Sequence, residues 1–357
     1  MTVHAYTSFS YSYLNRARVL AATLRQQHPD WVIWAVLTDK EPEGFSMDLA
    51  VEDYDRLITA EALFDTETDR WLFGHDVVEA CTAVKGRALC HLLDQPGCTK
   101  VIYFDPDIAV FGKMDPVIDL LDSHSIVLTP HQIDPDPAEN MQAVRDNEVI
   151  SLDYGVFNLG FVAVANDAEG RRFAGWWQDR LQDWCHDRLD IGIFVDQKWC
   201  NLVPCFFDNV KVLRDPGYNV ASWNLSQRTM SYGPEGQAQI NGQPLRFYHF
   251  TKLGQIGDVM TQRYAADNIE IYELWFWYRH QVAAATDPAI PAGWWHYGTF
   301  DNGEKIPKSV RELYRERPDL RAAFPAPRQI GDDSFLAWLR GNTDLLEKSA
   351  KKGFEAA

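Results

Sequence analysis

Apolar and polar positions along this chain fall into blocks, short apolar runs alternating with stretches of helical periodicity. Residues 3–6 form an apolar run of strand type, and Thr7-Ser8-Phe9-Ser10 follows as a polar loop. Leu14, Ala17, Ala21 and Leu24 then recur at helical spacing up to His28-Pro29, and residues 31–37 predict a second strand that ends at Thr38-Asp39. Strand, helix, strand with short connections opens a doubly wound α/β sheet, in which ligands sit beyond the carboxyl ends of the strands. Thr7, Ser8 and Asp39 therefore fall on the ligand side. Asp39 can accept hydrogen bonds from a bound ring, or it can hold the turn before Lys40-Glu41-Pro42.

Further along, residues 49–58 hold a third short strand. Val77, Cys81, Val84, Ala88 and Leu92 mark the apolar face of a helix whose other face carries Lys85 and Arg87, so Lys85 is expected either solvated or reaching an anionic ligand. Residues 101–104, 125–129 and 156–165 read as buried strands, with 210–213 and 245–250 completing the set. Phe173, Trp176, Trp177, Leu181 and Trp184 recur as a helix packing face. Residues 132–150 are acidic and lack a core face, which fits an excursion over an acceptor site. Near Ala285 the composition changes. Residues 1–284 are expected as one α/β unit, and 285–357 as an extension with an aromatic turn around Trp294 and Trp295, an amphipathic segment at 335–339 and a Lys-rich end.

Composition narrows the partners. The chain has 357 residues with 46% hydrophobic positions, enough to bury a large core, and its net charge of −17 argues against nucleic acid or an anionic membrane as a partner. The cysteines at 81, 90, 98, 185, 200 and 205 form no CxxC pair and sit in apolar runs, which reads as reduced core thiols. The first residues lack a basic region followed by an apolar core, and no 18-residue apolar run occurs. No transmembrane segment is expected, and the expectation is a cytoplasmic protein, compatible with a peripheral position at the inner face of a membrane.

The chemistry concentrates where the 101–104 run stops, in Asp105-Pro106-Asp107. In extended backbone, residues i and i+2 point to one side, so both carboxylates can aim at one cation, and Pro106 pre-sets Asp105. Two hard carboxylates leave Mg²⁺ or Mn²⁺ short of ligands, and water and phosphate oxygens usually fill the rest, which points to a nucleoside diphosphate. An Asp-Pro-Asp that merely ends a strand in a turn is the structural alternative.

Four signals occur in a fixed order: Asp105-x-Asp107, Phe157-Asn158-x-Gly160, Asp196-Gln197 and His249-x-x-Lys252. As a set, over residues 1 to 282, they resemble the GT-A glycosyltransferases, and within them the family 8 retaining enzymes of the glycogenin and lipopolysaccharide galactosyltransferase type. The resemblance implies a Rossmann-like α/β/α sandwich with a mixed central sheet and a C-terminal helical or irregular extension. It implies Asp105, Asp107 and His249 as ligands of Mn²⁺ (or Mg²⁺), with Lys252 on the diphosphate. Asn158, Gly160, Asp196 and Gln197 would line the donor sugar; Thr7, Ser8 and Asp39, from their place at strand ends, and Lys85, from its place on the helix before Asp105, are further donor-side candidates on the residues' own pattern. Asp196, Gln197 and Lys252 would be the catalytic groups. Asp153 or Asp196 is the candidate base, should the reaction invert, and Trp223, Trp294 and Trp295 are expected either buried in the core or under the tail or as stacking platforms for the acceptor. The activity implied is transfer of a sugar, with retention, from a nucleoside-diphosphate donor, by default a UDP-sugar, to a hydroxyl of a glycan or lipid-linked acceptor. The tail resembles segments appended to glycosyltransferase modules in bacterial polysaccharide-assembly proteins, so a module of a larger protein is a further expectation. Two other classes compete. A sugar-1-phosphate nucleotidyltransferase needs a glycine-rich loop after the first strand, where this chain has Tyr6-Thr7-Ser8-Phe9-Ser10. A non-catalytic sugar-binding module would leave the aspartate pair purely structural.

Overall fold

The computed structural model describes residues 2–64 and 67–342, so the Lys-rich end lies outside the described residues. Nine strands carry the architecture. They are β1 (Thr2–Phe9), β2 (Val32–Leu37), β3 (Arg56–Thr59), β4 (Cys98–Phe104), β5 (Ile108–Val110), β6 (Ile126–Pro130), β7 (Phe157–Ala165), β8 (Val210–Val212) and β9 (Phe247–His249). Seven of them form one sheet in the order β8-β6-β7-β4-β1-β2-β3. β7 runs antiparallel to both β4 and β6, and the other neighbours are parallel, which makes the sheet mixed.

Alternation along β4 shows how the sheet is buried on both faces. Val101 and Tyr103 belong to one core with α2 (Val77–Ala83), α3 (Lys85–Leu93) and α4 (Ala168–Trp184), where Ala80, Leu89 and Trp177 pack. Ile102 and Phe104 belong to the opposite core, under α1 (Leu14–Gln27). The result is the α/β/α sandwich with a mixed sheet that the motif set implied. Trp177 is wholly buried in it, whereas Trp184, on the same helix, is half exposed.

Two local expectations are corrected. The first strand does not stop at Tyr6: β1 continues through Thr7, Ser8 and Phe9, which pair with Ala35, Val36 and Leu37 of β2. A long neighbouring strand satisfies those backbone groups, so the ladder carries polar side chains into the interior. Lys85 is not solvated either. The predicted helix is two helices meeting at Val84, and α3 is pressed so closely on α4 that a Cβ at Gly86 would stand 2.6 Å from the Gln178 backbone. That contact turns Lys85 inward to 1% exposure.

After α5 (Ile269–Ala284) the tail folds back over the body. Phe300, Val310, Tyr314 and Phe335 enclose Phe73 in a satellite core. Arg311, on α6 (Lys308–Glu316), donates from Nη1 to the carbonyls of Phe73 and His75, each at 3.0 Å, and from Nη2 to that of Tyr297 at 2.6 Å. Trp294 donates its indole N–H to Lys40 O at 2.9 Å, and the Arg311 guanidinium covers Trp295 at 4.6 Å. Among the described residues, no helix is long and apolar enough to cross a membrane.

Candidate metal centre

The centre forms because β4 ends at a sharp turn into β5, and a late strand lies beside β5. Ile108 N–H donates to Asp105 O at 3.1 Å, closing the Asp-Pro-Asp turn, and Asp105 N–H donates to Gly160 O on β7 at 2.8 Å. β9 pairs antiparallel with β5, setting His249 opposite Ile108, and Phe250 N–H donates to Asp107 O at 2.8 Å. One ligand atom from each of Asp105, Asp107 and His249 lies within 4.8 Å of the others. His249 Nε2 stands 3.0 Å from Asp107 Oδ1 and 3.7 Å from Asp105 Oδ2.

The donor set fits a divalent ion. Two carboxylates and an imidazole converge, and the buried Nδ1 of His249 has no hydrogen-bond partner, so the polar contacts of the ring are all at its other nitrogen. Burial alone would lower the imidazole pKa, but Asp107 and then Asp105 outweigh it and hold it above its usual range. Gly160 makes the room. A Cβ there would lie 2.5 Å from His249 Cε1 and 2.7 Å from Asn158 Oδ1.

Behind Asp105 sits a buried cation. Lys85 Nζ is 3.0 Å from Asp105 Oδ1, 2.8 Å from Asp196 Oδ2 and 3.1 Å from Leu159 O, and it lies 4.2 Å over the Tyr103 ring. Burial opposes the charge on Lys85, yet Asp105 and Asp196 hold its pKa above the ordinary lysine value. Tyr103 donates to Asp105 Oδ1 at 2.6 Å, and the Ser8 hydroxyl, 3.1 Å away, donates in turn to Cys81 O at 2.6 Å. One oxygen of Asp105 is thus tied to the interior, and the other is the one nearest His249. Asp196 is 2% exposed, and burial raises its pKa to about 6 against the opposing pull of Lys85.

Beside the imidazole lies an amide network. Asn158 Oδ1 accepts from Gly160 N at 3.1 Å and from Asn219 Nδ2 at 3.0 Å, while Gln197 donates to Tyr154 O at 3.0 Å and accepts from Leu159 N at 3.3 Å. Trp223 stands edge-on to His249, ring centroids 5.1 Å apart, with a buried indole N–H that has no partner.

The remaining sequence candidates are placed differently. Lys252 is exposed on the turn after β9, at a φ of +54°. Asp153 is exposed on the short helix Ile150–Tyr154. Thr7 is buried with its hydroxyl unpartnered. Asp39 does not present free oxygens to a ligand, because it accepts backbone N–H bonds from Tyr11 at 3.1 Å, Lys40 at 2.9 Å and His296 of the tail at 2.7 Å. Burial still lifts its pKa to about 7 against those donors. Sequence reasoning missed Tyr103. Tyr103 was legible in principle, since it precedes Asp105 by two residues on the same face.

No family model matches the chain. Two proteins of Bacillus subtilis (strain 168) are similar in sequence, both described as uncharacterized. YfnF is 26% identical over 252 residues, covering 70% of this chain and 82% of its own length, and YfnD is 25% identical over 176 residues, covering 48% and 53%. The structural neighbours are glycosyltransferases. They include the galactosyltransferase LgtC, solved with donor and acceptor sugar analogs (TM-score 0.46, 15% identity, 82% of this chain and 99% of that one). GlyE of Streptococcus pneumoniae TIGR4 gives a TM-score of 0.42 at 16% identity over 77% and 63% of the two chains. Mouse xyloside xylosyltransferase 1 gives 0.40 at 13% identity over 71% and 98%.

Proposed function

We propose that this protein is a metal-dependent glycosyltransferase that moves a sugar from a nucleoside diphosphate to a hydroxyl of a glycan or lipid-linked acceptor. The observation that carries the reading is the convergence of Asp105, Asp107 and His249 at the carboxyl end of β4. A divalent ion held by these three would supply positive charge where the departing diphosphate gains negative charge. The imidazole favours Mn²⁺ over Mg²⁺, which prefers an all-oxygen shell.

The chain's own groups take the other roles. Lys85 and Tyr103 fix the inward oxygen of Asp105, so its other oxygen is held toward the ion site before any ligand arrives. Lys252, exposed and beyond His249, brings a mobile ammonium to the diphosphate. Asn158 and Gln197 offer amides to the donor sugar. The Gln197 carbonyl or Asp196 would stabilise positive charge at the anomeric carbon, and with retention the acceptor hydroxyl would enter on the leaving-group face and pass its proton to the departing phosphate. UDP is the preferred carrier on the strength of the motif resemblance, and the setting is the cytoplasm. The nucleotidyltransferase alternative loses ground, because β1 ends in Thr7-Ser8-Phe9-Ser10 without the glycine a triphosphate cradle requires.

A thermal-shift series tests the reading. UDP, ADP, GDP and CDP are each added with and without Mn²⁺, to the wild type and to Asp107→Ala. A ligand at 100 times its Kd raises stability by about 2.7 kcal/mol. The expected result is stabilisation by one diphosphate that requires Mn²⁺ and disappears in Asp107→Ala. Equal behaviour of the two proteins would leave the aspartates structural and the reading without support.

A further inference from the structure

We propose that Arg16 is a second cationic contact for the diphosphate of the donor, facing the metal centre from the first turn of α1. The inference rests on the donor reading above and adds a residue that neither the motifs nor the comparisons single out.

The need for it comes from the charge balance. The basic side chain nearest Asp105, Lys85, is already shared between Asp105 and Asp196, so it has no charge to spare for a ligand. A divalent ion would offset Asp105 and Asp107 but leave a diphosphate largely unbalanced, in a chain whose net charge is −17. Lys252 offsets one of these charges, and an additional cation at the rim would offset another.

Position follows from one contact and one shared edge. The Thr23 hydroxyl on α1 accepts from Val110 N–H on β5 at 3.1 Å, so helix and strand are locked together there. β1 and β4 are parallel neighbours with Tyr6 beside Tyr103, so their carboxyl ends share one edge. The chain leaves β1 after Phe9 and reaches Arg16 in the first turn of α1, just as it leaves β4 after Phe104 and reaches Asp107. Electrostatics agrees: burial first and then the charge of Asp107 raise the Tyr13 hydroxyl pKa, and Arg16 opposes them, so the ring that Arg16 covers also senses Asp107.

The side chain is also free and poised. Among the described residues, the Arg16 guanidinium has no ion pair or hydrogen bond; it lies 4.2 Å over the ring of Tyr13, which is 38% exposed. Stacking on a ring restrains the planar fork without using any of its five donors. Such a fork matches two oxygens of a phosphate.

Calorimetry with Mn²⁺ present tests this on the full chain. Wild type, Arg16→Met and Arg16→Lys are titrated with the best diphosphate of the UDP, ADP, GDP and CDP panel, with its parent nucleoside, and with Mn²⁺ alone. Loss of a charge-assisted contact is expected to weaken diphosphate binding about 10- to 100-fold in Arg16→Met. Arg16→Lys should recover part of it, while nucleoside and Mn²⁺ binding stay within about twofold and the melting temperatures agree. The proposal is overturned if Arg16→Met binds the diphosphate like the wild type. It is equally overturned if nucleoside, Mn²⁺ and diphosphate affinities fall together, since that pattern means Arg16 supports the site without touching phosphate. A wild type that binds none of the four diphosphates fails at the earlier step and removes the donor reading along with this one.

Discussion

Replacing Gly160 by alanine probes the centre without touching a ligand. The added methyl would lie 2.5 Å from His249 Cε1, 2.7 Å from its Nδ1 and 2.7 Å from Asn158 Oδ1, where ordinary contact begins at 3.4 Å. The imidazole therefore has to retreat by about 0.9 Å, several times the ~0.2 Å that ligand distances tolerate. Its retreat is blocked on one side by Trp223, edge-on at 5.1 Å between ring centroids. Overpacking of this kind costs about 1–3 kcal/mol, which a protein of this size survives folded. Metal affinity is expected to fall by at least the ~10- to 100-fold seen when a supporting residue of a metal site is lost. Electron paramagnetic resonance titration of free Mn²⁺ gives the affinity, and circular dichroism melting runs alongside. Gly175→Ala is the control, because nothing lies within 4 Å of a Cβ at that position on α4. If Gly160→Ala holds Mn²⁺ within twofold of the wild type, the bare position is not what seats the imidazole, and the packing argument is wrong.

Two further outcomes concern buried charges. Lys85→Met leaves Asp105 and Asp196 without their shared cation, and breaking a buried pair in this way costs about 3–5 kcal/mol; urea unfolding measures it, and a loss under 1 kcal/mol contradicts the account. Stability should also fall in mild acid at the junction with the tail. Burial, reinforced by Arg315, lowers His75 and His186 to about 3 each. Below pH 6.5 the unfolded chain takes up protons that these folded imidazoles refuse, so stability is lost as the pH drops from 6.5 toward 3, by about 2 kcal/mol at pH 5 for His75 alone. Melting curves of His75→Gln should show a flatter slope between pH 7 and 5 than the wild type, and parallel slopes would count against it.

Much of this arrangement was legible in the residues because period and punctuation coincide there. Apolar runs that stop at Thr38-Asp39 and at Asp105 mark the strand ends of a doubly wound sheet, and the i, i+2 carboxylates need only extended backbone to share a face. The features that stayed hidden depend on contacts between distant segments. A lysine one residue after Val84 reads as surface, since nothing local announces that Gly86 lets α4 press against it. Asp39 reads as open to a ligand until His296, far along the chain, supplies the N–H that occupies it. Thr7 and Ser8 look like loop because of their polarity, and only the length of β2 keeps them in the ladder. Arg16 carries no pattern of its own. Its meaning comes from β5 lying against α1.

The pairing of β9 with β5 sets an order of events during synthesis. A ribosome that has delivered only the Asp-Pro-Asp stretch has made a nascent polypeptide with two acids and no third donor. The three-donor cluster assembles only once the imidazole has emerged and its strand has docked, so a product truncated before β9 would lack it.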